Sequence, residues 1–334
     1  MGISSSIVDH VNSSSELCGS CDENEAKECT RCKRPVCAEC CPHKHNVLFD
    51  AKPVPLKSYK LRIAGQKHLK QIEAKCGIYT RKKELQVIGE AVYDQFTEWR
   101  IFNLVDDKTK PGTVTKQHPL YERSMIFPGD MCWSDELNQT FLTLPCTKTV
   151  YRYREHTFDE LFSTEGSCFG IAWFDGGFAV SIEMKSNFSL SSEWQVQVLN
   201  AKGKLEKQFY YDCVGNPMFK RPLFLDSNRS GTTLFVSDFE KQAIIALDNV
   251  GNKLYEFNNP ILYKPSGLAV DTEENVYVAC GPRVVQIEKG GVNFRELLPV
   301  KNTDRAVGVC FEPVENLLTV ILKSGAVNTV RLQK

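Results

Sequence analysis

Three stretches of the chain follow one plan. Residues 223–257 (LFLDSNRSGTTLFVSDFEKQAIIALDNVGNKLYEF), 266–298 (SGLAVDTEENVYVACGPRVVQIEKGGVNFRELL) and 306–332 (AVGVCFEPVENLLTVILKSGAVNTVRL) each run an apolar strand into an acidic turn, then a second apolar strand, a loop and a third strand. A fourth strand follows in the first two copies. Fainter copies begin near Met131 and Phe169, giving start-to-start offsets of 38, 54, 43 and 40 residues. Four short strands recurring at about 40–45 residues are the period of a β-propeller blade, a unit that buries its faces only against its neighbours. The long interval holds an insertion, KSNFSLSSEW, around residues 185–194. An unpaired edge on the last copy is a liability that ring closure removes, and residues such as Tyr121 to Phe127 are expected to supply its fourth strand. The expected propeller covers 120–334, with five or six four-stranded blades.

The remainder of the chain has a different character. Of 14 cysteines, seven (Cys18, Cys21, Cys29, Cys32, Cys37, Cys40 and Cys41) fall between residues 18 and 41. From Cys18 the spacing is Cys-x2-Cys-x7-Cys-x2-Cys-x4-Cys-x2-Cys-x2-His-x-His, ending at His45. Eight donors in four close pairs are what two tetrahedral zinc sites require, and closed four-ligand sites are structural because no position is open to water. So short a segment buries too little apolar surface to fold alone, so zinc binding is expected to supply its folding free energy. The segment is set as 17–50, after a flexible N-terminus at 1–16.

Charge balances overall, with 41 Lys+Arg against 41 Asp+Glu. Residues 51–83, however, carry ten Lys/Arg and one acid, Glu73. Beyond the Lys-Pro-Val-Pro-Leu stretch at 52–56, Leu69, Ile72, Cys76 and Tyr79, then Leu85, Ile88, Val92, Phe96, Trp99 and Phe102, step by threes and fours. That spacing predicts a helical neck over 57–104 that pairs with a second copy or packs onto the propeller.

The segment CGSCDENEAKECTRCKRPVCAECCPHKH resembles the B-box zinc finger of the tripartite-motif (TRIM) family. The repeat resembles the NHL type, most clearly in Pro265-Ser266-Gly267-Leu268-Ala269-Val270-Asp271 followed by Asn275-Val276-Tyr277-Val278. The resemblance implies a cross-brace, with Cys18, Cys21, Cys37 and Cys40 on one zinc and Cys29, Cys32, His43 and His45 on the other. The His43-Lys44-His45 spacing is tighter than usual for the family and leaves Cys41 as a possible substitute ligand. It also implies a multidomain order of B-box, short coiled coil and NHL-like propeller, with a homodimer through the neck. A RING finger needs a further eight ligands, and only 17 residues precede Cys18.

The loops entering each blade, and those between its second and third strands, carry Lys220, Arg221, Lys241, Lys264, Arg283, Lys301, Arg305 and Lys323. Clustered cations on one face suit phosphate or an acidic peptide; the bland alternative is ordinary solvated loop charge. The resemblance implies a zinc-binding, non-catalytic adaptor that recognises RNA or protein through this face. The alternative is a component of an E3 ubiquitin ligase, working with a partner RING or through the B-box, and this is the one enzymatic reading retained. His118 and His156 are the only histidines beyond residue 68, which disfavours a propeller hydrolase.

No apolar stretch approaches the roughly 18–20 residues that cross a bilayer. The N-terminus lacks a secretory signal, so a cytoplasmic protein is expected. Met1-Gly2 with Ser6 matches the N-myristoylation pattern, which would place an acyl chain on Gly2 and give peripheral membrane contact together with the basic segment.

Overall fold

The computed structural model describes residues 27–28, 35–36, 54–55, 62–68, 72–79, 85–92, 97–104, 114–121, 127–154, 157–185, 192–299 and 304–332. Among these residues there is no helix; every regular element is a strand. Strands β1 (Lys27–Glu28) and β2 (Pro35–Val36) pair antiparallel by themselves. Next come β3 (Val54–Pro55) and β4 (Arg62–His68), which join sheets built mainly from later parts of the chain.

Six further sheets account for the other strands. The first contains β5 (Ile72–Tyr79), β6 (Leu85–Val92), β7 (Thr97–Leu104) and β8 (Val114–Tyr121). The second contains β9 (Met131–Ser134), β10 (Gln139–Leu144), β11 (Thr149–Arg154) and β12 (Thr157–Ser163). The third has β13 (Ser167–Phe174), β14 (Gly177–Lys185), β15 (Ser192–Asn200) and β16 (Leu205–Phe209). The fourth has β17 (Pro222–Ser227), β18 (Thr233–Asp238), β19 (Ala243–Asp248) and β20 (Lys253–Asn258). In the fifth, β21 (Pro265–Val270), β22 (Val276–Cys280), β23 (Arg283–Ile287) and β24 (Asn293–Pro299) are followed by β3, which lies parallel to β24. The sixth is β25 (Ala306–Glu312), β26 (Leu317–Leu322) and β27 (Ala326–Arg331), completed by β4.

The first strand of each sheet touches its counterparts in the two neighbouring sheets, so β5, β9, β13, β17, β21 and β25 line a closed ring. This is a β-propeller whose six blades surround one channel. Burial follows from that stacking: a middle strand is covered on both faces, and Thr233–Asp238, Val276–Cys280 and Leu317–Leu322 are buried at every position. The inner strands must also approach closely. A Cβ on Gly267 would lie 2.8 Å from the Cα of Gly308 on the next blade, so glycine is required where those backbones meet.

The helical neck expected over 57–104 does not form, and with it goes the coiled-coil dimer interface. Its apolar stripe runs through β6 and β7, which pair from Leu85↔Leu104 to Val92↔Thr97. Leu85, Gln86, Val87 and Ile88 are all buried. An uninterrupted buried run contains residues three and four apart as readily as residues two apart, so periodicity alone does not separate such a strand from a helix. The chain is therefore not a propeller carried on a separate helical stalk. Ring closure also differs from expectation: β4, not Tyr121 to Phe127, pairs with β27, from Ala326↔His68 to Arg331↔Arg62. An early strand thereby covers the edge left open by the last repeat.

Candidate functional site

At the end of the propeller where the chain enters each inner strand, one buried carboxylate organises the loops of the fourth blade. Asp238 closes β18 and is inaccessible to solvent. Its Oδ2 accepts the backbone N–H of Lys220 at 2.7 Å, and its Oδ1 accepts those of Arg221 at 3.0 Å and Lys241 at 2.9 Å. The Phe239 N–H in turn donates to the Arg221 carbonyl at 2.9 Å. Burial pushes the Asp238 carboxyl above the usual carboxylate range, against the pull of the three amides and of Lys241. Loop residues that sequence alone leaves free are thus held in one arrangement.

On that frame sits a cluster of cations and rings. The Arg221 guanidinium lies 5.6 Å from the centre of the Phe239 ring, and the Lys264 ammonium lies 5.8 Å from the same ring and 5.5 Å from that of Tyr263. Half of Tyr263 is exposed, at 51%. Arg221 also reaches Glu240 at 3.3 Å, a pair so open to solvent that it contributes little. Neither aromatic residue was among the candidates; the available signal was an aromatic residue next to, or two positions from, a loop lysine, as in Tyr263-Lys264 and Phe239-Glu240-Lys241.

The other expected cations divide. Lys241 turns inward: its Nζ donates to the Met218 carbonyl at 3.0 Å and meets Glu256 at 3.2 Å, beside Lys253, which meets Glu256 at 2.6 Å. Burial works to raise the Glu256 carboxyl, but the two lysines outweigh it and hold the group below its ordinary range. Lys241 is therefore a structural cation. Lys220 and Lys264 are exposed, and Arg283 faces Glu296 at 3.6 Å. The loops of Arg305 and Lys323 are joined by the Lys323 N–H donating to the Arg305 carbonyl at 2.8 Å. The Ala306 N–H donates to the Gly281 carbonyl at 2.8 Å, bringing this pair beside the loop of Arg283. Lys301, Gly2 and the eight proposed zinc donors Cys18, Cys21, Cys29, Cys32, Cys37, Cys40, His43 and His45 lie outside the described residues.

Two further acids, neither anticipated, line the channel. Asp130 Oδ1 accepts the Met131 N–H at 2.9 Å, and its Oδ2 accepts those of Ile171 at 3.3 Å and Leu225 at 3.2 Å, tying β9 to β13 and β17. Asp226 accepts from Ser227 at 2.8 Å and Val270 at 3.0 Å, tying β17 to β21. Desolvation pushes both carboxyls up to about 7 despite these amides.

No protein-family model matches the chain, and no curated protein does. Solved structures do. Virginiamycin B lyase from Staphylococcus aureus, in its selenomethionine-substituted form, aligns with a TM-score of 0.54 at 13% identity, covering 82% of this chain and 99% of the lyase. A catalytically inactive variant of that lyase with quinupristin aligns with a TM-score of 0.53 at the same identity and coverage. At that identity the likeness is one of fold alone, and it corrects two expectations. A RING-less TRIM-NHL-like organisation fails, because the segment that such a plan makes a coiled coil is blade. The non-catalytic adaptor, and the ubiquitin-ligase alternative that rested on the same resemblance, lose their basis as well, since this propeller architecture also carries a lyase.

Proposed function

We propose that the loop face around Arg221, Phe239, Tyr263 and Lys264 binds single-stranded RNA. The observation that supports this reading is the stacking of two cations over Phe239, with one of them also over the half-exposed ring of Tyr263. Single strands are held by cations that follow the phosphates and by rings on which bases stack. An acidic protein segment would use the same cations with less need of the exposed ring. This reading concerns binding and is independent of any chemistry that follows it.

Anisotropy with a fluorescent single-stranded oligoribonucleotide, beside a polyglutamate peptide, tests it. RNA binding should weaken steeply with salt. Arg221→Glu combined with Lys264→Glu should abolish it, and Tyr263→Leu should cost about 5- to 100-fold. Absence of RNA binding at low salt overturns the reading; a preference for the peptide that ignores Tyr263→Leu replaces it with protein recognition.

We also propose that the cysteine-rich segment holds two structural zinc ions. Support comes from its donor set of thiols and imidazoles, spaced as four close pairs, and from the antiparallel pairing of Lys27 with Val36 and Glu28 with Pro35 within the same segment. Metal analysis of the purified full chain should find about two zinc ions per molecule; a zinc-free folded protein refutes this.

A further inference from the structure

The opposite end of the channel differs in chemistry from the loop face. There the inner strands leave the ring, and the ends of β9, β17, β21 and β25 surround a cavity of about 190 Å³. Trp133 and Phe311 contribute aromatic side chains to its wall, and Asp226 lines it from the channel side. A smaller space of about 60 Å³, also bordered by Trp133 and Asp226, continues inward to Asp130. We propose that this mouth is a binding site for a small organic ammonium ion, with Asp226 as counter-charge and Trp133 and Phe311 as aromatic walls.

Charge sets the class of ligand. Among the described residues, Asp135, Asp226, Asp271 and Arg229 are the charged groups that border the cavity. Two of these acids already have local duties. Asp271 accepts from the N–H groups of Glu273 and Asn275, from the Asn275 amide and from the Tyr277 hydroxyl. Asp135 accepts the Trp133 indole N–H at 2.9 Å, which fixes the ring. Phe311 is fixed by stacking on Tyr277, with centroids 6.3 Å apart and planes 9° from parallel. Asp226 is different: each oxygen accepts one backbone N–H, from Ser227 or from Val270, which leaves acceptor capacity on both.

A carboxylate beside aromatic walls suits an ammonium group, because ring faces and carboxylate both attract positive charge and an anion would be repelled. The partly buried Asp226 carboxyl, raised to about 7 by desolvation, is in the state a counter-ion relieves. Among the described residues, the titratable groups that border or influence it are Asp130, Asp135, Asp271, Arg229 and the thiols of Cys132 and Cys310. The space accommodates a headgroup with a few carbons rather than a polymer, which separates this site from the RNA-binding face.

The test is calorimetry of the full chain with choline and with putrescine, using acetate as the anionic control. Saturable binding of at least one cation, without acetate binding, is expected. Asp226→Asn should weaken it by about tenfold or more, whereas Arg221→Glu on the loop face should leave it unchanged. Where Asp226→Asn fails to fold, Trp133→Leu serves instead, since it leaves the Asp226 hydrogen bonds in place. Failure of both cations to bind folded protein at millimolar concentration overturns the proposal, as does binding that survives the substitution unchanged.

Discussion

The carboxylate of Asp238 accepts the backbone N–H of Arg221 at 3.0 Å, and this bond across 17 residues sets where the guanidinium stands over Phe239. Asp238→Ala strands three buried or partly buried donors and should destabilise the protein by about 2–4 kcal/mol. It should also weaken RNA binding more than it alters the salt slope, because the cations remain. Urea denaturation and anisotropy on the same variant check both effects.

The channel acids make stability depend on pH. Asp130 and Asp226 have folded pKa values near 7 against a reference of 3.8, so between those values the folded chain holds protons that the unfolded chain releases. Their contribution is full below about pH 3.8 and declines as pH rises through about 7. Urea midpoints of the Asp226→Asn variant and the parent should therefore differ more in the parent's disfavour at about pH 8 than at about pH 5. An unchanged difference across that window removes the assigned role.

Ring closure rests on glycine at two facing backbones. Gly267→Ala places a methyl 2.8 Å from the Cα of Gly308, and backbone does not yield as a side chain does. A loss of about 1–3 kcal/mol in chemical denaturation is expected.

Deleting Arg62–His68 removes the strand that pairs with β27. The exposed edge should make the protein aggregate. Light scattering of the deletion beside the parent reads this directly.

Lys241→Met separates structural from ligand-binding cations. It removes one of the two lysines that meet Glu256 and should cost about 1–2 kcal/mol of stability. The salt dependence of RNA binding should not move, whereas Arg221→Glu should lower its slope by about one ion contact.

Local order along the chain was enough for the later blades. Val276-Tyr277-Val278 and Leu317-Leu318-Thr319-Val320 are strands by composition, bounded by the turn residues around Asp271 and Glu312, and they lie where the repeats put them. Only tertiary contact decided the rest. Leu85 to Ile88 are strand because neighbouring blades cover both faces, a condition absent from the local spacing that reads equally well as helix. Lys241, between the second and third strands of one blade, and Lys264, in the loop entering the next, are both expected on the same face, yet Glu256 turns one inward while Phe239 and Tyr263 hold the other at the surface. Asp130 and Leu225 stand 95 residues apart, and their hydrogen bond exists because the ring brings two inner strands together. Composition and repeat length determined that this chain builds blades; closure of the ring determined which strand seals it, which charges face outward and which carboxylates are buried.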